Sequence, residues 1–282
     1  VMLVAAVLGS NTVATLMGWV ARPIAPEDLA GRLSPEFRLV WPEGGPGPDG
    51  APTALLFSGC DGPGDNLDTW ARYLSEAGWA SVIVDSHTPR NLDEVQSWRL
   101  VCAGQILPGG ERAGDVSVAL AYVRDLPFVD PERLFLIGAS HGGWAILDFL
   151  ALESAETPPY NLTEWPAGGR LDGVRGIILV YPYCGPGSIA ARQGWTKDVP
   201  VLFLLAEDDR IAPEADCLDL VERLHADGLP VEARVLAGTT HGFDQRTKAP
   251  GSLLEYHAEA TRRALALGRA FLMRSAARSD GV

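Results

Sequence analysis

Ser140 lies in Gly138-Ala139-Ser140-His141-Gly142-Gly143, directly after the apolar run Leu134-Phe135-Leu136-Ile137. A serine flanked by small residues on a strand-to-helix turn presents its hydroxyl clear of the chain, where it can act as a nucleophile. The turn is strained, and bulk at either flank would clash. The helix that follows aims its first N–H groups at the place where negative charge develops. Such a serine needs a base, and the base needs an acid to orient it. Asp208 and Asp209 follow the apolar stretch 199–206, and His241 follows 231–236, so the order along the chain is Ser, Asp, His. We take Ser140 as nucleophile, His241 as base and Asp209 as acid, with Asp208 as its rival. Of five histidines, His241 alone stands beside a glycine in a loop after a late strand pattern. His225 and His257 fall in helical patterns and read as surface. His141 follows Ser140 and points away from it, whereas His87 ends a strand pattern and is a candidate pocket residue. Two backbone N–H groups must hold the oxyanion: that of His141 and one in the loop after 54–57, assigned to Cys60.

These residues need elements to position them. The stretches 38–41, 54–57, 80–84, 134–137, 176–181, 199–206 and 231–236 read as strands. Between them, 66–77, 112–125, 141–153 and 213–226 have helical spacing, and 252–274 reads as a long terminal helix. Pro42 to Pro52 is dense in Gly and Pro and reads as a loop; 156–172 reads as a surface insertion; 91–107 fits neither period. Apolar strands alternating with amphipathic helices imply an α/β fold, a mainly parallel sheet with helices on both faces. Ligand sites in such sheets lie outside the carboxyl ends of the strands. Every polar candidate above falls at such an end.

The chain has 282 residues, 47% hydrophobic and 21% charged, which suits one large domain. A net charge of −13 argues against nucleic acid and anionic membrane surfaces as partners. Residues 1–21 carry no charge, and Met2 to Leu8 is a short apolar core. We read 1–22 as a signal or anchor remnant lacking its basic start, the alternative being a buried helix, and 23–282 as a single α/β-hydrolase domain. That reading places the protein outside the cytoplasm, periplasmic or extracellular, with a cytoplasmic location as the alternative. Cys60, Cys102, Cys184 and Cys217 all cluster at the carboxyl edge of the sheet, so Cys60–Cys102 and Cys184–Cys217 are the expected bridges; four buried thiols are the alternative. Neither H-E-x-x-H nor G-x-x-x-x-G-K-[ST] occurs, so no metal and no cofactor are expected.

The residues resemble the dienelactone hydrolase family of α/β-hydrolases across roughly 54–272. The carriers are Leu55-Leu56-Phe57-Ser58-Gly59-Cys60-Asp61-Gly62, Asp85-Ser86-His87-Thr88-Pro89-Arg90, Val129-Asp130-Pro131-Glu132-Arg133-Leu134, the Ser140 hexapeptide, Ala206-Glu207-Asp208-Asp209-Arg210-Ile211-Ala212-Pro213 and His241-Gly242-Phe243-Asp244. The family acid stands four residues before that proline, which favours Asp209. The best-known members carry cysteine where Ser140 stands, so the chain resembles a serine branch. Ser58 and Gly59 replace a histidine and a glutamate found in members' oxyanion loops. The resemblance implies arginines that hold a substrate carboxylate, and Arg90 and Arg246 lie about one residue from the corresponding places. The function implied is hydrolysis of a small ester or lactone through a Ser-His-Asp triad and an acyl-enzyme. A peptidase or acyltransferase on the same scaffold is the alternative, since fold alone does not separate them.

Overall fold

The computed structural model describes residues 2–248, 252 and 254–277. In chain order the elements are α1 (Met2–Leu16), α2 (Pro26–Leu33), β1 (Arg38–Val40), β2 (Ala51–Phe57), α3 (Asp65–Ser75), β3 (Ala80–Val84), α4 (Glu94–Gln96), α5 (Gly109–Arg124), β4 (Val129–Ala139), α6 (His141–Ser154), β5 (Val174–Val180), α7 (Ile189–Gln193), β6 (Val201–Ala206), α8 (Glu214–Ala226), β7 (Val231–Leu236) and α9 (Ala258–Ala277). The described strands form one sheet in the order β1-β3-β2-β4-β5-β6-β7. β1 runs antiparallel to β3, and every other pair is parallel. Among the described residues no helix is long and apolar enough to cross a membrane.

β3 and β6 are buried along their whole length, as continuous apolar runs in a doubly covered parallel sheet require. Alternate residues still face opposite sides. Leu55 and Phe57 of β2 pack with α2, α5, α6 and α8, whereas Ala54 and Leu56 pack with α3 and α9. α6 is buried on nearly every side, which explains why its sequence is apolar all round. The chain adds β3 on one side of β2 and then crosses back to place β4 on the other. The strand order reverses there, and a crevice opens at the carboxyl ends of β2 and β4.

Several boundaries differ from the sequence reading. β2 starts at Ala51, inside the expected loop: Ala51 N–H donates to Phe128 O, and the ladder slips between Ala51 and Thr53, which accommodates Pro52. The stretch 91–107 becomes the short α4, a π-type turn over Ser97–Val101 and an irregular return. The insertion 156–172 is not wholly a surface feature. Asn161 and Leu162 are buried, and Leu162 bridges Ile24. α9 begins six residues later than expected, because His257 precedes it and accepts the Ala260 N–H at Nδ1 as a cap. The second half of α1 is tied to Gln105: Asn11, Thr12 and Thr15 all exchange hydrogen bonds with it.

Candidate active site

β4 delivers Ser140 at φ 51° and ψ −114°, a conformation that non-glycine residues rarely adopt. Two hydrogen bonds and two glycines hold it. Ser140 N–H donates to Val180 O at 2.8 Å, and Ser140 O accepts from Trp144 in the first turn of α6. A Cβ on Gly138 would lie 2.6 Å from the Gly142 carbonyl carbon, so the turn closes only over glycine. A Cβ on Gly142 would lie 2.4 Å from Phe57 O, so the start of α6 touches the end of β2 backbone to backbone.

β7 ends at Leu236 and leads into the loop that carries His241. Its Nε2 lies 2.8 Å from Ser140 Oγ, and its Nδ1 lies 2.6 Å from Asp209 Oδ2. A carboxylate only accepts, so Nδ1 carries the proton and donates it to Asp209, leaving Nε2 to accept from the serine hydroxyl. The other Asp209 oxygen accepts the N–H groups of Ile211 and Ala212, at 2.9 and 2.8 Å. Asp208 is exposed and its backbone N–H donates to Thr239 O, so the structure brings Asp209 to the histidine and leaves Asp208 in solvent. Beneath the histidine, Tyr181 packs its ring 4.8 Å from the imidazole and donates its hydroxyl to Asp244. Trp70 Nε1–H donates to the other Asp244 oxygen at 2.9 Å. Burial pushes the Asp244 carboxyl up, and the Tyr181 phenol well up. This network fixes the height of the His241 loop.

The two expected oxyanion donors sit at the crevice between β2 and β4. Neither the Cys60 nor the His141 N–H meets an acceptor among the described residues. Cys60 is bonded to Cys102, with Cα atoms 5.0 Å apart, and Cys184 to Cys217, with Cα atoms 5.1 Å apart. Both expected bridges are therefore present. The first ties the loop after β2 to the segment 91–107.

Arg112 was not singled out from the sequence, and it organises this loop. It is completely buried in α5. Its Nη1 donates to Ser58 O at 2.8 Å and to His141 Nδ1 at 2.9 Å, its Nη2 to Ser58 Oγ at 3.1 Å, and its Nε to Ser86 Oγ at 3.0 Å. One planar cation thus clamps the loop after β2, the loop after β3 and the first residue of α6. Burial draws its pKa down to about 10, which leaves it charged at neutral pH. The same cation, after burial itself, holds the His141 imidazole well below the usual histidine range. The signal was present in the sequence: Arg112 lies four residues before Val116, on the apolar face of its helix.

Three expected pocket residues lie elsewhere. His87 is buried behind the loop after β2 and donates Nε2–H to Cys60 O at 3.1 Å. Burial first, and Arg112 second, push its pKa down to about 4. Arg90 is taken by buried Asp115 in a two-pronged pair at 2.8 and 3.0 Å. Arg246 stacks over Tyr256, 4.5 Å from the ring centre. None of the three lines either cavity beside Ser140. The family's carboxylate-binding arginines therefore have no counterpart at these positions.

The model of the Dienelactone hydrolase family matches residues 167–275, which include Asp209 and His241. No functionally curated protein matches the chain by sequence. Among solved structures, a candidate dienelactone hydrolase from Klebsiella pneumoniae is 15% identical, with a TM-score of 0.62 over 84% of this chain and 92% of that one. The dienelactone hydrolase-like promiscuous phosphotriesterase P91 from metagenomic libraries is 18% identical, with a TM-score of 0.59 over 84% of this chain and 91% of its own. Esterase 2 of Thermogutta terrifontis, phosphorylated by paraoxon, is 16% identical, with a TM-score of 0.62 over 84% of this chain and 88% of its own. These likenesses show a shared α/β-hydrolase fold.

Proposed function

We propose that this α/β-hydrolase of the dienelactone hydrolase type cleaves carboxylic esters or lactones through a serine nucleophile. The observation that carries the reading is the chain Asp209–His241–Ser140, with contacts of 2.6 and 2.8 Å. Ser140 Oγ attacks the substrate carbonyl carbon while His241 Nε2 takes its proton. The carbonyl oxygen becomes an oxyanion and accepts from the N–H groups of Cys60 and His141. As the intermediate collapses, the ester oxygen leaves as an alcohol with the proton from His241, and the acyl group remains on Ser140. A water, deprotonated by His241, then attacks the acyl carbon, and as this second intermediate collapses His241 returns the proton to Ser140 Oγ and the acid departs. Asp209 holds the tautomer and steadies the imidazolium throughout. The small substrate is the only partner this chemistry requires. The two disulfides support a working place in an oxidising compartment.

The test is Ser140→Ala assayed on 4-nitrophenyl butyrate, beside fluorophosphonate labelling of the unaltered protein. The variant is expected to lose on the order of 10⁴-fold in kcat while keeping its circular dichroism, and the label to map to Ser140. Near-native turnover by the variant would end the serine reading.

A further inference from the structure

Two cavities meet at Ser140. One, of about 210 Å³, is walled by His241, Tyr181, Trp98 and Leu254. The other, of about 240 Å³, is walled by His141, Trp144, Tyr183 and, from α1, Thr12 and Leu16. Cys60, Cys102 and Ile211 border both, so the disulfide and Ile211 stand at the partition. His241 borders only the first.

That asymmetry assigns the cavities once the triad reading of the preceding subsection is accepted. The ester oxygen must receive its proton from His241 Nε2, so the alcohol side of the substrate lies on the histidine side of Ser140. The carbonyl oxygen is held at Cys60 and His141. The third substituent of the carbonyl carbon, the acyl chain, is left to point the other way. We propose that the cavity beside His241 receives the alcohol and that the cavity walled by α1 receives the acyl chain. The N-terminal helix is then part of the specificity pocket. Its attachment fits that role. Asn11 Nδ2 donates to Gln105 Oε1 at 3.0 Å, Thr15 Oγ1 to Gln105 O at 3.2 Å, and Gln105 Nε2 to Thr12 Oγ1 at 2.7 Å. Gln105 lies three residues beyond the bridged Cys102, so α1 and the disulfide-held segment form one wall.

Charge narrows the substrate class. The acyl cavity is lined by no carboxylate and no Lys or Arg among the described residues, and the alcohol cavity carries Asp61 and Glu94. The expected substrate is an ester with an uncharged, apolar acyl chain of several carbons and an uncharged or cationic alcohol. A free carboxylate on either side meets no cation among the described lining residues, and on the alcohol side it meets two anions.

The experiment crosses two substrate series with two positions. Acyl chains of two to ten carbons are varied on 4-nitrophenol, and alcohols from methyl to naphthyl are varied on acetate. Leu16→Phe is expected to lower kcat/KM for octanoate relative to acetate by tenfold or more, and Leu16→Ala to move the optimum to longer chains, both with the alcohol ranking unchanged. Trp98→Ala is expected to change the alcohol ranking and leave the acyl optimum in place. The hemisuccinate should be turned over at least tenfold more slowly than the butyrate. Crossed effects, or effects at neither position with wild-type hydrolysis intact, overturn the assignment alone. A wild-type protein inert on every ester overturns the esterase reading and the assignment with it.

Discussion

At Asp209 both carboxylate oxygens are committed, one to His241 and the other to two backbone amides of its own loop. The group cannot rotate away from the histidine without breaking the turn that it builds. Asp209→Asn keeps an oxygen for those amides but presents an amide N–H₂ to Nδ1. The imidazole then takes the other tautomer, with Nε2–H facing Ser140 Oγ, and can no longer accept its proton. The expected result is a loss in kcat on the order of 10⁴-fold. Asp208→Asn, altering an exposed side chain, should stay within a few-fold. Parallel steady-state kinetics of the two variants check this, and equal small losses would show that something else orients the base. The fate of Arg90 and Arg246 belongs to the same scale. A cation near the right place in the chain serves the site only if no closer partner takes it. Asp115 and the Ser86 carbonyl take Arg90, and the Tyr256 ring with its hydroxyl takes Arg246.

Among elements, the two disulfides divide the labour. Cys60–Cys102 joins the segment that carries a proposed oxyanion donor to the irregular stretch over the site. Cys184–Cys217 joins the loop after β5 to α8, and neither cysteine lines a cavity at Ser140. Replacing Cys60 and Cys102 together by alanine should lower kcat by tenfold or more, up to the roughly 10²–10³-fold that complete loss of a donor costs. Replacing Cys184 and Cys217 should leave kcat near wild type and remove about 3 kcal/mol of stability. Urea titrations and kinetics on both pairs distinguish them; a reversed pattern would contradict the division. The same contrast explains what could be read from the amino acids. The central strands, the Ser140 turn and the order Ser, Asp, His are written locally, as apolar runs followed by small or polar residues. The stretch 91–107 shows no period because it is held from outside, by Cys60 and by α1, and not by an apolar face of its own. Asn161 and Leu162 looked like surface because they stand among Pro and Gly; their burial depends on Ile24, more than a hundred residues away. Arg112 was legible as a cation on an apolar face, but its partners come from two separate loops and the start of α6.

At the scale of the molecule, acid should loosen the fold from its centre. His87 has its pKa lowered to about 4, against 6.5 in the unfolded chain. As pH falls from 6.5 to 4 the unfolded chain takes up the proton and the folded one resists, so stability is lost over that window. At pH 4.5 this group alone amounts to about 2–3 kcal/mol. His141 is shifted in the same direction. Asp148 opposes them: burial raises its pKa to about 7, so its neutral form is favoured when folded, and it adds stability as pH falls from 7 toward 4. His87→Gln, which retains a donor for Cys60 O, should shrink the stability difference between pH 7 and pH 4.5 by about 2–3 kcal/mol in urea titrations. An unchanged difference would mean that His87 titrates normally in the fold. The close approach of Gly142 to Phe57 O joins the neighbouring strands β2 and β4 at their carboxyl ends. The two sides of the strand-order reversal are in close backbone contact there, beside the proposed oxyanion donors of Cys60 and His141. Their dipoles cannot drift apart or turn outward to solvent between turnovers. On the proposed mechanism, when charge appears on the substrate oxygen the surrounding polarity is already oriented toward it, and the reorganisation that water would have to undergo in solution was completed when the chain folded.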